Sequence, residues 1–300
     1  MGIDGLIVVD KPAGVTSHDV VARVRRLAGT RRVGHGGTLD PMATGVLVIG
    51  VGRATRLLTY VIGSDKEYAA TIRLGQTTVT DDAEGDVVES TRTDAVTDEA
   101  IRAGLAALTG EIDQVPSAVS AIKIDGRRAY RRVREGEAVA LPARRVTLYR
   151  LDVGAIRRDV PYVIDVDVVV SCSSGTYVRA IARDLGVALG VGGHLTALRR
   201  TAVGRFTIAE AVTMGVLAER DNPVTMPIAV AARRCFPQRE ADMEATRVLS
   251  HGGPLPAVGI AGPYAVFDPA GGLVAIVRER DGRARPEVVL TSGGGSEGRH

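Results

Sequence analysis

The chain has 300 residues, 45% of them hydrophobic, and a formal net charge of +3 at pH 7. That length exceeds what one hydrophobic core usually organises, so two domains are expected, and no apolar run approaches the roughly 20 residues of a membrane-spanning helix. Cys172 and Cys235 are too few for a disulfide framework or a cysteine-based zinc site. The start, Met1-Gly2-Ile3-Asp4-Gly5, lacks the basic and apolar regions of a secretory signal, and Leu6 stands where a myristoylation sequon needs Ser or Thr. A soluble, cytoplasmic protein with reduced thiols is the expectation.

The elements follow in chain order. Gly5-Leu6-Ile7-Val8-Val9 reads as a buried strand, and Ser17 as the cap of a helix whose Val20, Val21, Val24 and Leu27 share one face, ending at Gly29. A glycine-rich loop around Asp40 leads to the apolar strand Val46-Leu47-Val48-Ile49, then to a short helix from Arg53 to Tyr60. Residues 66–74 read as a strand, and Thr97 caps a helix carrying Ile101, Leu105 and Leu108, closed by Gly110. Strands near 146–154 and 162–171 precede an amphipathic helix from Thr176, with Val178, Ile181, Leu185 and Leu189 at helical spacing. Asn222-Pro223 and Pro227 mark a boundary region. Beyond about residue 240, short apolar runs such as Ala265-Val266-Phe267, Leu273 to Val277 and Val288-Val289-Leu290 read as a small β-rich module. Residues 292–300 read as disordered. The mixture indicates an α+β fold rather than a doubly wound nucleotide fold.

Charge is unevenly spread. Residues 121–150 hold nine basic and three acidic side chains, +6, whereas residues 77–100 hold eight acids against Arg92, −7. The basic block reads as a surface for a polyanion and the acidic block as a solvated face turned away from it. Arginine dominates, with three lysines in the chain (Lys11, Lys66, Lys123), and its planar fork suits phosphate and base stacking.

The most informative stretch is Gly36-Gly37-Thr38-Leu39-Asp40-Pro41-Met42-Ala43-Thr44-Gly45. Pro41 biases Asp40 toward an extended conformation, and the glycines remove bulk so that a large ligand could approach. From these residues alone two readings stand: a rigidly held aspartate nucleophile, or a tight turn with an Asx-type hydrogen bond. The sequence carries no dinucleotide fingerprint around Gly50-Val51-Gly52 and no GxxxxGK[ST] phosphate loop. Its five histidines are scattered without metal-ligand spacing. No cofactor and no metal are expected.

The segment from His35 to Thr59 resembles the catalytic motif of the TruB family, bacterial synthases that make pseudouridine 55 in tRNA. Four further blocks match in the family's order: Asp10-Lys11-Pro12-Ala13-Gly14-Val15-Thr16-Ser17, Lys66-Glu67-Tyr68 leading to Leu74-Gly75, Ser120-Ala121-Ile122-Lys123, and Ser174-Gly175-Thr176-Tyr177-Val178-Arg179 running on to Leu198-Arg199-Arg200. The resemblance implies a pseudouridine synthase fold with a mixed, largely antiparallel central sheet flanked by helices. It also implies a PUA-like C-terminal module, on the weaker match of Gly262 to Asp268 and Arg285-Pro286. The implied division is 1–230 catalytic, with a basic RNA-gripping insertion at about 115–145, then 231–291 PUA-like and 292–300 tail.

The same resemblance assigns roles. Asp40 is the implied nucleophile, Arg179 its ion-pair partner, and Tyr68 the ring that stacks on uracil and helps move the C5 proton. Tyr177 and Leu198 line the base pocket, although Leu198 alone would read as a helix core residue. His35 is associated with extruding the target base. Lys11 is read as supporting or phosphate-facing, and Lys123 as an RNA contact. The implied partner is the T-arm of tRNA, recognised by shape and an extruded loop nucleotide. No obligatory protein partner, no membrane and a monomeric state are expected. Two other readings remain: an RNA-folding chaperone, which would not need Asp40, and a synthase acting on another RNA within a guide-RNA complex.

Overall fold

A computed structural model of the chain describes residues 4–117, 123–124, 127–128 and 141–291. Most of the expected gripping insertion, and the tail expected to be disordered, lie outside the described residues. Lys123 falls in the short strand Lys123–Ile124, but its side chain lies outside those described.

The apolar run after Asp4 forms β1 (Gly5–Lys11), which pairs antiparallel with β3 (Thr44–Val51), Gly5 opposite Val51 and Lys11 opposite Gly45. Between them come α1 (Ser17–Leu27) and β2 (Val33–His35). A 3₁₀ turn, Gly52–Leu57, and the one-turn helix α2 (Leu58–Ile62) then replace the single helix expected over Arg53 to Tyr60. Next come β4 (Lys66–Leu74), α3 (Asp98–Ala107), β5 (Gly110–Gln114), β6 (Arg144–Arg157), β7 (Ile164–Cys172), α4 (Val178–Ala188), β8 (Gly193–Val203) and β9 (Val212–Thr213).

Among the described residues these nine strands, with two short ones at Phe206–Thr207 and Met226–Pro227, build an 11-stranded mixed sheet whose main path is β9-β1-β3-β8-β4-β7-β6-β5. The β1–β9 and β3–β8 pairs are parallel and the other neighbours along the path antiparallel. The expected largely antiparallel sheet is therefore present. The β3–β8 junction has two rungs, Arg199 opposite Thr44 and Arg200 opposite Gly45, and it brings the Asp40 loop beside β8.

Strand β8 has no counterpart in the sequence reading. Its Leu-Thr-Ala-Leu-Arg-Arg core suits a helix by propensity, but β3 and β4 satisfy its backbone on both edges and tertiary context prevails. Leu198 is thus a strand residue. The capping of α1 also differs by one position. Thr16 is the N-cap and forms a reciprocal capping box with Asp19, which frees Ser17 to turn inward.

Strand β1 is buried on both faces. Ile7 and Val9 join the core beneath α1, α3 and α4, with Val20, Ile101, Ile181 and Leu185. Leu6 and Val8 face the other way, onto Leu57, Leu58 and the C-terminal residues Phe267, Ile276 and Leu290. That second sheet, with α5 (Ile228–Cys235) and α6 (Met243–Ser250) against it, runs β10 (Gln238–Glu240), β12 (Pro263–Phe267), β13 (Leu273–Arg280), β14 (Arg283–Val289), β11 (Leu255–Pro256). It is the β-rich, PUA-like module. Arg53 and Arg56 donate to the Leu290 and Val289 carbonyls (2.6 and 2.7 Å), tying it to the turn behind the Asp40 strand.

Candidate active site

The loop from Gly36 to Gly45 is held from three sides. From below, the Lys11 ammonium is fully buried and donates to the carbonyls of Pro12, Val15 and Pro41 at 2.9, 2.7 and 3.2 Å. From α1, the Ser17 hydroxyl accepts from the Leu39 N–H (2.9 Å) and donates to the Leu39 carbonyl (3.1 Å). From β8, the buried Arg200 guanidinium donates to the carbonyls of Val46, Thr38 and Gly37 at 2.7, 3.2 and 3.0 Å. Two buried cations therefore cradle a loop of backbone carbonyls and leave its single carboxylate facing outward.

The glycines serve this packing more than ligand access. A Cβ at Gly45, where φ is +99°, would lie 2.2 Å from the Arg200 carbonyl, and one at Gly36 would lie 2.8 Å from Val61 Cγ1. Gly37 borders the cavity.

Asp40 Oδ2 lies 3.1 Å from Nε of Arg179, on the first turn of α4, and Arg179 Nη1 lies 3.4 Å from Oδ2 of Asp82. Arg179 and Asp82 are 5% and 3% exposed, whereas Asp40 keeps 35%, so the nucleophile candidate is the open end of a dry three-member chain. Asp82 is fixed in turn, its Oδ1 accepting from the Thr80 hydroxyl and the Glu84 N–H. Burial pushes the Asp40 carboxyl above the ordinary carboxylate range, and Asp82 adds to this, while Arg179 pulls it back. Asp81 and Asp82 correct the expectation that the whole acidic block is a solvated face. The chain adopts a left-handed turn at Asp81 (φ 58°) and drives Asp82 inward against Arg179.

Asp40, Tyr68, Arg179, Tyr177 and Leu198 line one cavity of about 320 Å³, with Lys66 and Arg200 also on its wall. Tyr68 is buried, which raises its phenol pKa, so the resting ring keeps its proton. Gln114 clamps the Tyr177 backbone, its Oε1 accepting from Tyr177 N–H (2.8 Å) and its Nε2 donating to Tyr177 O (3.1 Å). His35 is not among the lining residues. It stands on β2, opposite Ile49, edge-on to His18 with ring centroids 5.5 Å apart. Burial, with His18 beside it, lowers its pKa, and its buried Nδ1 has no partner among the described residues. Lys11 lies under the loop and faces carbonyls, so it supports and does not reach phosphate. Asp82, Ser17, Gln114 and Arg200 went unread as site residues; each acts through a fold contact distant in sequence, which no local pattern carries.

Among the described residues no group of three or more His, Cys, Asp or Glu is arranged to hold a metal ion. No helix among them is long and apolar enough to cross a membrane.

A carboxylate held by a buried arginine beside an aromatic ring, on a mixed sheet with a β-rich C-terminal module, defines a pseudouridine synthase. Residues 25–178 match the family described as TruB family pseudouridylate synthase (N terminal domain). Residues 179–222 match a tRNA pseudouridylate synthase B C-terminal domain, and 236–291 the tRNA Pseudouridine synthase II, C terminal. The chain belongs to the TruB family. It is 57% identical to the tRNA pseudouridine synthase B of Arthrobacter sp. (strain FB24), covering 96% of this chain and 97% of that protein. It is 55% identical to the protein of that name from Thermobifida fusca (strain YX), covering 96% and 98%. Among solved structures it is similar to a chain of an H/ACA RNP bound to a substrate RNA containing 2'-deoxyuridine (25% identity, TM-score 0.71, 96% of this chain and 85% of that one). It is likewise similar to a chain of a Cbf5-Nop10-Gar1 complex (27%, 0.71, 95% and 84%).

Proposed function

We propose that this chain isomerises a uridine of tRNA to pseudouridine, at position 55 in the T-arm loop, with Asp40 as nucleophile. The observation that carries the reading is the Asp40 carboxylate, 3.1 Å from the buried Arg179 and opening into the cavity beside Tyr68. Covalent attack by Asp40 divides the exchange into smaller steps. The C–N glycosidic bond breaks, the same uracil rejoins the sugar through C5, the C5 proton is lost and N1 takes up a proton, with no net redox change and no external donor. Arg179 keeps Asp40 ionised against its own burial and orients it. Tyr68, Tyr177 and Leu198 offer the base an enclosed pocket after it leaves the stack.

The chain acts alone as a cytoplasmic monomer. Residues 1–230 carry the chemistry, and 231–291, with the basic segment around 115–145, hold the RNA by its phosphates. Binding therefore weakens steeply with salt, from counterion release. His35, edge-on to His18 and with a pKa held below the ordinary imidazole value by burial, takes the place of the displaced base.

The test is to incubate the protein with an unmodified tRNA transcript and map pseudouridine chemically along the RNA. A single new pseudouridine in the T-loop supports the reading. Modification elsewhere, or none despite binding, defeats it; binding and refolding of tRNA by an Asp40→Asn variant without modification in wild type would point to a chaperone.

A further inference from the structure

Lys66 opens β4 and lines the active-site cavity that Asp40 and Arg179 also line. Its ammonium donates to the carbonyls of Ile62 (2.9 Å) and Ser64, which cap the C-terminal end of α2. Among the described residues no carboxylate forms an ion pair with it. The acidic neighbours are otherwise engaged: Asp65 accepts from the Tyr149 hydroxyl (3.2 Å), and Glu67, on the other face of β4, accepts from Arg150 (3.1 Å). Its Cε would be 4.0 Å from a Cβ at Gly37, and Arg200, which donates to the carbonyls of Val46, Thr38 and Gly37, lies close enough to repel it.

The cations lining the cavity thus differ in how they are balanced. Arg179 is balanced by Asp40 and Asp82, whereas Lys66 and Arg200 form no ion pair among the described residues. A half-buried ammonium here carries a cost, visible in a pKa lowered to about 8 by burial and by Arg200, against the weaker pull of Cys172 and Asp65. An anion seated beside it removes that cost. A uridine entering this cavity brings one, since its backbone phosphates must pass the rim.

We propose that Lys66 is a phosphate-binding residue that grips the backbone phosphate flanking the extruded uridine. The inference rests on the proposed reaction and deepens it. Arg200 stays with the loop carbonyls, and Lys66 supplies a point charge with one donor directed at the substrate.

The experiment compares wild type, Lys66→Met and Lys66→Arg on a T-arm stem-loop RNA. One RNA has native linkages and a second has neutral methylphosphonates on both sides of the target uridine. Tritium release from uracil C5 and filter binding are both read, with thermal midpoints recorded. Expected for Lys66→Met is a rise in KM of about ten- to hundredfold with kcat little changed, the scale of one charged hydrogen bond. A binding salt slope shallower by roughly 0.7–0.9 is also expected. Lys66→Arg restores most of the loss. The methylphosphonates weaken wild-type binding and leave Lys66→Met unaffected.

Equal loss on both RNAs in wild type and variant would overturn the proposal and leave Lys66 as a helix cap. So would a fall in kcat with KM unchanged. Should Lys66→Met fail to fold, wild-type binding indifferent to the neutral linkages is the overturning result. Absence of tritium release from wild type on native RNA would count against the reaction, while the binding comparison would still decide the phosphate contact.

Discussion

Replacing Arg179 by Met tests the aspartate–arginine–aspartate chain most sharply. The side chain is of similar length, so the perturbation is mainly loss of the charge and of the donors to Asp40, Asp82 and the Thr80 carbonyl. Asp82, 3% exposed, is then a buried carboxylate without its counter-ion. Breaking such a pair costs about 3–5 kcal/mol. At roughly 2–4 °C per kcal/mol for a chain near this size, Tm falls by about 10 °C. Asp40, at 35% exposure, is partly solvated and adds little to that stability loss, but without Arg179 its already raised pKa climbs further and a smaller fraction of the nucleophile is ionised at any given pH. The second variant, Arg179→Met with Asp82→Asn, removes the stranded charge and is expected to recover stability, by roughly 2 kcal/mol, without recovering activity. Urea unfolding gives the stabilities and tritium release the activity. An Arg179→Met protein as stable as wild type, or a double variant less stable than Arg179→Met, would refute the argument.

Three further outcomes follow from the site. Because burial raises the Asp40 pKa, kcat/KM in wild type should fall on acidification at a pH above the ordinary carboxylate value of about 4. The ionised nucleophile is lost as pH drops through the raised pKa, and a pH–rate profile with its acid limb at or below 4 would contradict this. Gly45→Ala forces a Cβ to 2.2 Å from the Arg200 carbonyl at a φ of +99°, so a loss of at least ~3 kcal/mol and of activity is expected; unchanged urea midpoints would count against the tight β3–β8 junction. Ser17→Ala strands the Leu39 N–H and carbonyl, an expected loss of about 1–3 kcal/mol, with kcat falling more than KM rises because the loop that aims Asp40 loosens. Parallel stability curves for variant and wild type would remove Ser17 from that role.

The sequence disclosed elements whose patterns are local. The apolar run of β1, the faces of α1 and α3 and the alternation of β7 needed nothing beyond periodicity, and the Thr97 cap stands where it was read. Asp40, Tyr68, Tyr177, Arg179 and Leu198 were named from motif blocks scattered over some 160 residues, and the fold brings these five to one cavity. Four site-building residues stayed hidden, for a common reason. Ser17 reads as a helix cap until its partner, Leu39, is known from the fold. Gln114 holds Tyr177, 63 residues on. Arg200 binds carbonyls some 160 residues earlier, from a strand that propensity reads as helix. Asp82 sits among acids that look solvated, and only the left-handed turn at Asp81 sends it inward. Polar contacts closed over such distances leave no periodic trace, whereas a hydrophobic face does.

The central claim, that Asp40 is the nucleophile of a uridine isomerisation, is tested most directly by tritium release from tRNA labelled at uracil C5, comparing wild type with Asp40→Asn under single-turnover conditions. The account predicts stoichiometric release by wild type and none above background by Asp40→Asn, with both proteins folded and binding the tRNA with similar affinity. Release by Asp40→Asn at a rate near wild type would contradict it.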